Sequence, residues 1–168
     1  MIDSRQILSA LPGSRTYAIL DGARDRNLRG WIFDTRAPRW CLYRGKLPPV
    51  LQDAAPWLLQ LTAGQPYTDD FFRRYWGGSC GVLLSSAAQP ADLRRHLRRF
   101  LLARDEAGRK LVFRYYDPRV LRVYLPTCTS EETAAFFGPI EAYVAEARDR
   151  GSFHLFRPGT AELRTIRA

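Results

Sequence analysis

The spacing of apolar residues divides the chain into a succession of short elements. Residues 2–11 can form a short helix, capped by Asp3 or Ser4 and stopped by Pro12-Gly13. Thr16–Asp21, TYAILD, is a compact apolar run that ends at Asp21-Gly22 and reads as a buried strand. Residues 23–33 put Leu28, Trp31 and Ile32 on one helical side. Residues 39–45, RWCLYRG, alternate and end in glycine, which predicts a second strand. WLLQL at 57–61 is a third, after a loop around Pro48-Pro49 and a turn of helix.

Residues 68–76 carry Phe71, Phe72 and Tyr75 at helical spacing, with Thr68 or Asp69 as cap. Residues 80–84 are an unbroken apolar run after two glycines. Pro90 starts the clearest helix, which runs over 92–104. Leu93, Leu97, Phe100 and Leu101 fall on one face, and Arg94, Arg95, Arg98 and Arg99 on the other. A turn at 105–108 leads into KLVFRYYD, predicted as a long strand over 110–117. At Asp117-Pro118 the aspartate can cap a helix, and the proline gives up an N–H that has no partner there anyway. Thr129 to Glu132 fits a capping box, and the helix it opens ends at Gly138-Pro139. Residues 140–150 read as a further helix. SFHLFR and AELRTIR, separated by Pro158-Gly159, read as a hairpin.

This order predicts one mixed α/β domain without repeats or a linker. A central mixed-sheet lobe flanked by helices would cover 14–117, a smaller helical lobe 118–150 and a short strand tail 151–168. A chain of 168 residues suits one domain and buries roughly 70% of its unfolded surface. Its 46% hydrophobic and 12% aromatic content argues for an ordered globule. No apolar run approaches the ~20 residues of a membrane span, and MIDSRQILSALPGSR lacks the apolar core of a signal peptide. A cytoplasmic location is the expectation, with no membrane partner.

The three cysteines, Cys41, Cys80 and Cys128, and the two histidines, His96 and His154, lack metal-ligand spacing. The cysteines read as core fillers and His96 as a solvated ring, so no metal and no cofactor is expected. The net charge of +9, mostly arginine, can attract nucleic acid, acidic lipid or an acidic protein.

Gly77-Gly78-Ser79-Cys80-Gly81 fits the nucleophile-elbow pattern G-x-S-x-G. An elbow runs from strand through serine to helix, whereas here a helix precedes the motif and an apolar strand follows it. A turn is the better reading, and a hydrolase using Ser79 or Cys80 is the lesser one. Arg114 and Arg119 flank Asp117 and read as an ion-pair network that fixes a strand–helix junction. The arginine row at 94, 95, 98 and 99 could lie along phosphates, which makes a basic nucleic-acid-binding domain an alternative. It lacks exposed aromatics beside it, so a solvated face or a face for an acidic protein partner is favoured.

Several segments in order resemble the type VI secretion effector adaptor family, the Tap/Tec chaperones. They are YAILDGA, APWLLQL, WGGSCGVLLSS, LRRHLRRFLLAR and LVFRYYDPRVLRVYLPT, followed by FFGPI. The resemblance runs from Tyr17 to Ile140, and Phe113 to Leu121 is its most specific part. It implies a cytoplasmic, non-enzymatic adaptor of a Gram-negative bacterium. Such a protein would bind a cognate toxic effector and help load it onto the VgrG or PAAR spike, directly or through the effector. Arg114, Asp117, Pro118 and Arg119 correspond to the family signature, with a structural role expected. The family supplies no catalytic residues. Some members carry a long C-terminal extension, and recognition that depends on one is not expected here. The expected mechanism presents a groove or sheet edge to the effector, with Arg94, Arg95, Arg98 and Arg99 as a charged rim.

Overall fold

In the computed structural model, residues 4–13, 15–149 and 151–165 are described. The first predicted helix appears as α1 (Ser4–Ala10), while Ile2 and Asp3 lie outside the described residues. The chain continues through β1 (Thr16–Asp21), α2 (Leu28–Asp34), β2 (Arg39–Cys41), α3 (Pro49–Ala54) and β3 (Pro56–Leu61). Then come α4 (Pro66–Arg74), β4 (Gly81–Ser86), α5 (Pro90–Arg98), β5 (Leu102–Arg104) and β6 (Lys110–Val112). The last part holds α6 (Pro118–Tyr124), a 3-10 turn at Leu125–Thr127, α7 (Ser130–Phe137), β7 (Ile140–Glu146), β8 (Ser152–Arg157) and β9 (Thr160–Thr165). Ile166 and Arg167, which end the last predicted strand, and Arg150, which ends the helix predicted over 140–150, lie outside the described residues.

Seven strands form one sheet in the order β2-β3-β1-β4-β7-β8-β9, and β5 and β6 pair only with each other. Every pairing is antiparallel, so the sheet expected to be mixed is uniform in direction. The mixed α/β class stands. Ala18 and Leu20 of β1, Leu59 of β3, Leu83 of β4 and Val144 of β7 face one layer. There they meet Ile7 of α1, Leu28 and Ile32 of α2, and Phe71 and Phe72 of α4. The alternate residues Tyr17, Ile19, Leu58, Leu84 and Tyr143 face Leu93 and Leu97 of α5, Leu121 of α6 and Phe136 of α7. Burial on both faces is why β1, β3 and β4 read as unbroken apolar runs.

The same burial overturns the helix predicted over 140–150. Ile140, Ala142, Tyr143, Val144 and Ala145 are all buried, and they divide between the two layers as a strand does. β7 lies between β4 and β8 in the centre of the sheet. The separate helical lobe therefore dissolves: α6 and α7 pack on the one sheet, and the β8–β9 hairpin extends it.

Two further elements are shorter than their sequence pattern. The arginine helix stops at Arg98, and Leu102–Arg104 turns back to pair with Lys110–Val112. Beyond Phe113 the predicted long strand leaves its partner because Tyr115 and Tyr116 are drawn inward. Tyr115 is fully buried and donates its hydroxyl to the Leu97 carbonyl at 3.0 Å. The predicted caps hold at both later helices. Asp117 accepts from the Arg119 N–H at 2.9 Å, and Thr129 and Glu132 exchange hydrogen bonds of 3.1 and 2.8 Å. α4 differs, since it starts at Pro66, and Thr68 donates to the Thr62 carbonyl at 2.8 Å.

Candidate partner-binding surface

The 77–81 segment is a tight turn between α4 and β4. Gly77 and Ser79 both have positive φ, 86° and 54°, and the Ser79 N–H donates to Glu146 Oε2 at 3.0 Å. Glu146 is buried, and that burial pushes its carboxyl up from the ordinary range. Burial, reinforced by Glu146, likewise pushes the Cys80 thiol up to about 11, away from a reactive thiolate. Ser79 and His154 line one open groove of about 910 Å3. Among the described residues no hydrogen bond joins a histidine to Ser79 or Cys80. His154 instead stacks on Phe156, and His96, expected to be solvated, is buried 2.8 Å from the Phe136 carbonyl. The arrangement is that of a braced turn.

The signature residues meet at the end of β1. Asp117 caps α6 and holds Arg119 through its side chain, while Arg114 lies 3.7 Å from the buried carboxylate of Asp21. The two acids titrate in opposite directions. For Asp117 burial works upward, but the hydrogen bonds and charge of Arg119 prevail and lower it. For Asp21 burial prevails over the Ala23 N–H and Arg114, and its carboxyl is raised. A lowered acid contributes stability above the ordinary carboxylate range that is lost as pH falls through its folded value. A raised acid does the reverse, since the folded state favours its proton.

Asp117→Ala is therefore expected to cost about 1 kcal/mol at neutral pH, with the gap to wild type closing in acid. Asp21→Asn is expected to raise the thermal midpoint at neutral pH, an advantage that vanishes below the carboxylate range. Melting curves of both variants from neutral to acid pH check the pair, and a lowered midpoint for Asp21→Asn at neutral pH would contradict the ordering of burial over Arg114.

The four arginines of α5 do not form one row. Arg94 Nε donates to the Cys41 carbonyl at 3.0 Å. Arg98 reaches the carbonyls of Cys41, Leu42 and Tyr43 at 3.1, 2.8 and 2.7 Å. These two side chains hold the end of β2 and the two residues after it, at the outer edge of the sheet, where these carbonyls would otherwise be left open. Arg95 is exposed and pairs with Asp92, and exposed Arg99 lies over the Phe100 ring at 5.9 Å. Arg98→Ala is expected to destabilise the chain by about 2 kcal/mol through hydrogen bonds to a charged donor. Denaturant titration would show it, and a loss no larger than that of Arg95→Ala would mean the edge closes without Arg98.

The surface that sequence reasoning missed is the β5–β6 hairpin. Leu102, Leu111 and Val112 are 58%, 50% and 54% exposed there. In the sequence, LVF resembles the middle of an interior strand, so nothing local marked it as a projecting arm.

In comparison with known proteins, the model of a family described as a domain of unknown function (DUF4123) matches residues 16–135. No curated protein and no solved structure matches the chain.

Proposed function

The chain belongs to the DUF4123 family, and we propose that it is a cytoplasmic adaptor for a type VI secretion effector. In this reading it binds one cognate toxic effector and promotes loading onto the VgrG or PAAR spike, without catalysis of its own. The observation that carries the reading is the ordered set of segments from Tyr17 to Ile140 that resembles the effector adaptors, over nearly the span that the family model matches. Its most specific part, Phe113 to Leu121, ties three parts of the fold together. Phe113 roots the hairpin, Tyr115 enters the core, and Asp117 and Pro118 start α6.

Adaptor work needs a stable body and a surface for a partner. The three-layer core supplies the first, and the exposed aliphatic and basic groups supply the second. The cytoplasmic setting fits the finding that, among the described residues, no helix is long and apolar enough to cross a membrane.

A tagged chain expressed in its native bacterium, purified and analysed by mass spectrometry, tests the reading. Recovery of a VgrG or PAAR protein together with a large toxin is expected. Recovery of nucleic acid in place of protein, from a folded bait, would overturn it.

A further inference from the structure

The β5–β6 hairpin is the element that the fold itself does not account for. Each strand holds three residues, and they pair only with each other. A lone two-stranded ribbon is marginal in water. Single exposed aliphatic side chains are ordinary, but here Leu102, Leu111 and Val112 are all at least half exposed on one short ribbon. The register sets Leu102 opposite Val112 and Arg104 opposite Lys110. Side chains alternate along a strand, so these four share one face, with the apolar pair toward the body and the cationic pair toward the tip. Two cations set directly opposite one another repel, which is a local cost that folding alone leaves unexplained.

The root of the hairpin is firm. The Phe113 N–H donates to the Leu101 carbonyl at 2.9 Å, and the Phe113 ring packs against Tyr124 at 4.8 Å. The tip is fixed as well, by Arg109 on Asp105 and by Arg104 on the Gly108 carbonyl. An exposed face on a pre-shaped arm loses little freedom when it binds.

We propose that this face is a docking surface for the partner protein. Leu102 and Val112 seat on an apolar strip of the partner, and carboxylates beside that strip take Arg104 and Lys110. The inference rests on the adaptor reading and deepens it by naming the surface and the chemistry that fits it. A lipid surface fits less well: membrane insertion needs aliphatic groups at the tip with cations behind them, and here the order is reversed. Nucleic acid would leave Leu102 and Val112 without an apolar contact.

The probe is the toxin-sized protein that co-purifies with the full chain, repurified alone and titrated against it by calorimetry. Leu102→Ser with Val112→Ser, and separately Arg104→Glu with Lys110→Glu, are each expected to weaken binding by about tenfold or more. Arg73→Glu, on α4 in the opposite layer, should bind as wild type does. All these positions are exposed, so unchanged melting curves will show that the fold is intact. Added salt should weaken wild type and the serine pair but strengthen the glutamate pair, whose new carboxylates repel those of the partner. If both double variants bind the toxin with wild-type affinity, the hairpin proposal is overturned and the adaptor reading survives. If wild type binds no protein, both fall together. Binding of phosphatidylglycerol vesicles or random duplex DNA that disappears in the serine pair would also overturn the proposal. So would a self-dimer that the serine pair dissociates.

Discussion

Phe136→Ala is expected to cost about 4 kcal/mol. Phe136 is fully buried on α7, and its ring meets Phe100, Tyr115, Tyr124 and Tyr143 at centroid distances of 5.1 to 5.5 Å. These neighbours come from the turn after α5, the segment before α6, α6 itself and β7. Removing the ring therefore opens a cavity where four parts of one layer meet, and it also forfeits several edge-to-face contacts. For a chain of this size the loss corresponds to a fall of roughly 12 °C in the thermal midpoint. Tyr124 and Tyr115 also pack on Phe113, so the hairpin root should loosen with it. Calorimetric melting checks the first effect, and amide exchange at residues 101–113 checks the second. A cost below about 1 kcal/mol would mean that the layer is not closed around this ring.

Gly81→Ala is expected to cost about 3 kcal/mol, because the new methyl has nowhere to go. A Cβ on Gly81 would stand 2.2 Å from the Ile19 carbonyl oxygen and 3.1 Å from the Leu20 Cα. Both belong to the backbone of β1, which β3 holds on its other side. The strain cannot be relieved by a side-chain rotation, so two central strands must separate. Gly30 is the built-in contrast. It lies in α2 with nothing near its Cβ position, and Gly30→Ala is expected to stabilise by about 0.5 kcal/mol through helix propensity and a less free unfolded chain. Denaturant titration of the two variants side by side gives the comparison. Equal stabilities would show that β1 and β4 tolerate a wider spacing at Gly81.

What the sequence reveals about the fold depends on how far each signal reaches. TYAILD and the helix start at Asp117-Pro118 are legible because burial on both faces and N-capping act within a few residues. IEAYVAE is misread because a strand buried on both sides shows no alternation, and its two glutamates imitate the polar stripe of a helix. The turn from α5 into β5 is hidden because LRRFLLAR keeps its helical period through the break, with no glycine or proline to mark it. Here the pairing with Lys110–Val112 overrides local preference.

The candidate surface follows the same rule. Periodicity correctly places Arg94 and Arg98 on the polar side of α5. It does not show that this side lies over the Cys41 and Leu42 carbonyls, since that contact joins residues more than fifty positions apart. The same helix thus gives up half of its expected rim to closing a sheet edge. The exposed face of the hairpin emerges only once β5 and β6 are paired in register.

If the chain loads one toxin for export, secretion from its native bacterium with and without its gene will show it. The account predicts that deletion removes the cognate toxin from the medium while the VgrG spike is still released, and that the wild-type chain restores it. Unchanged toxin export in the deletion strain would contradict the account.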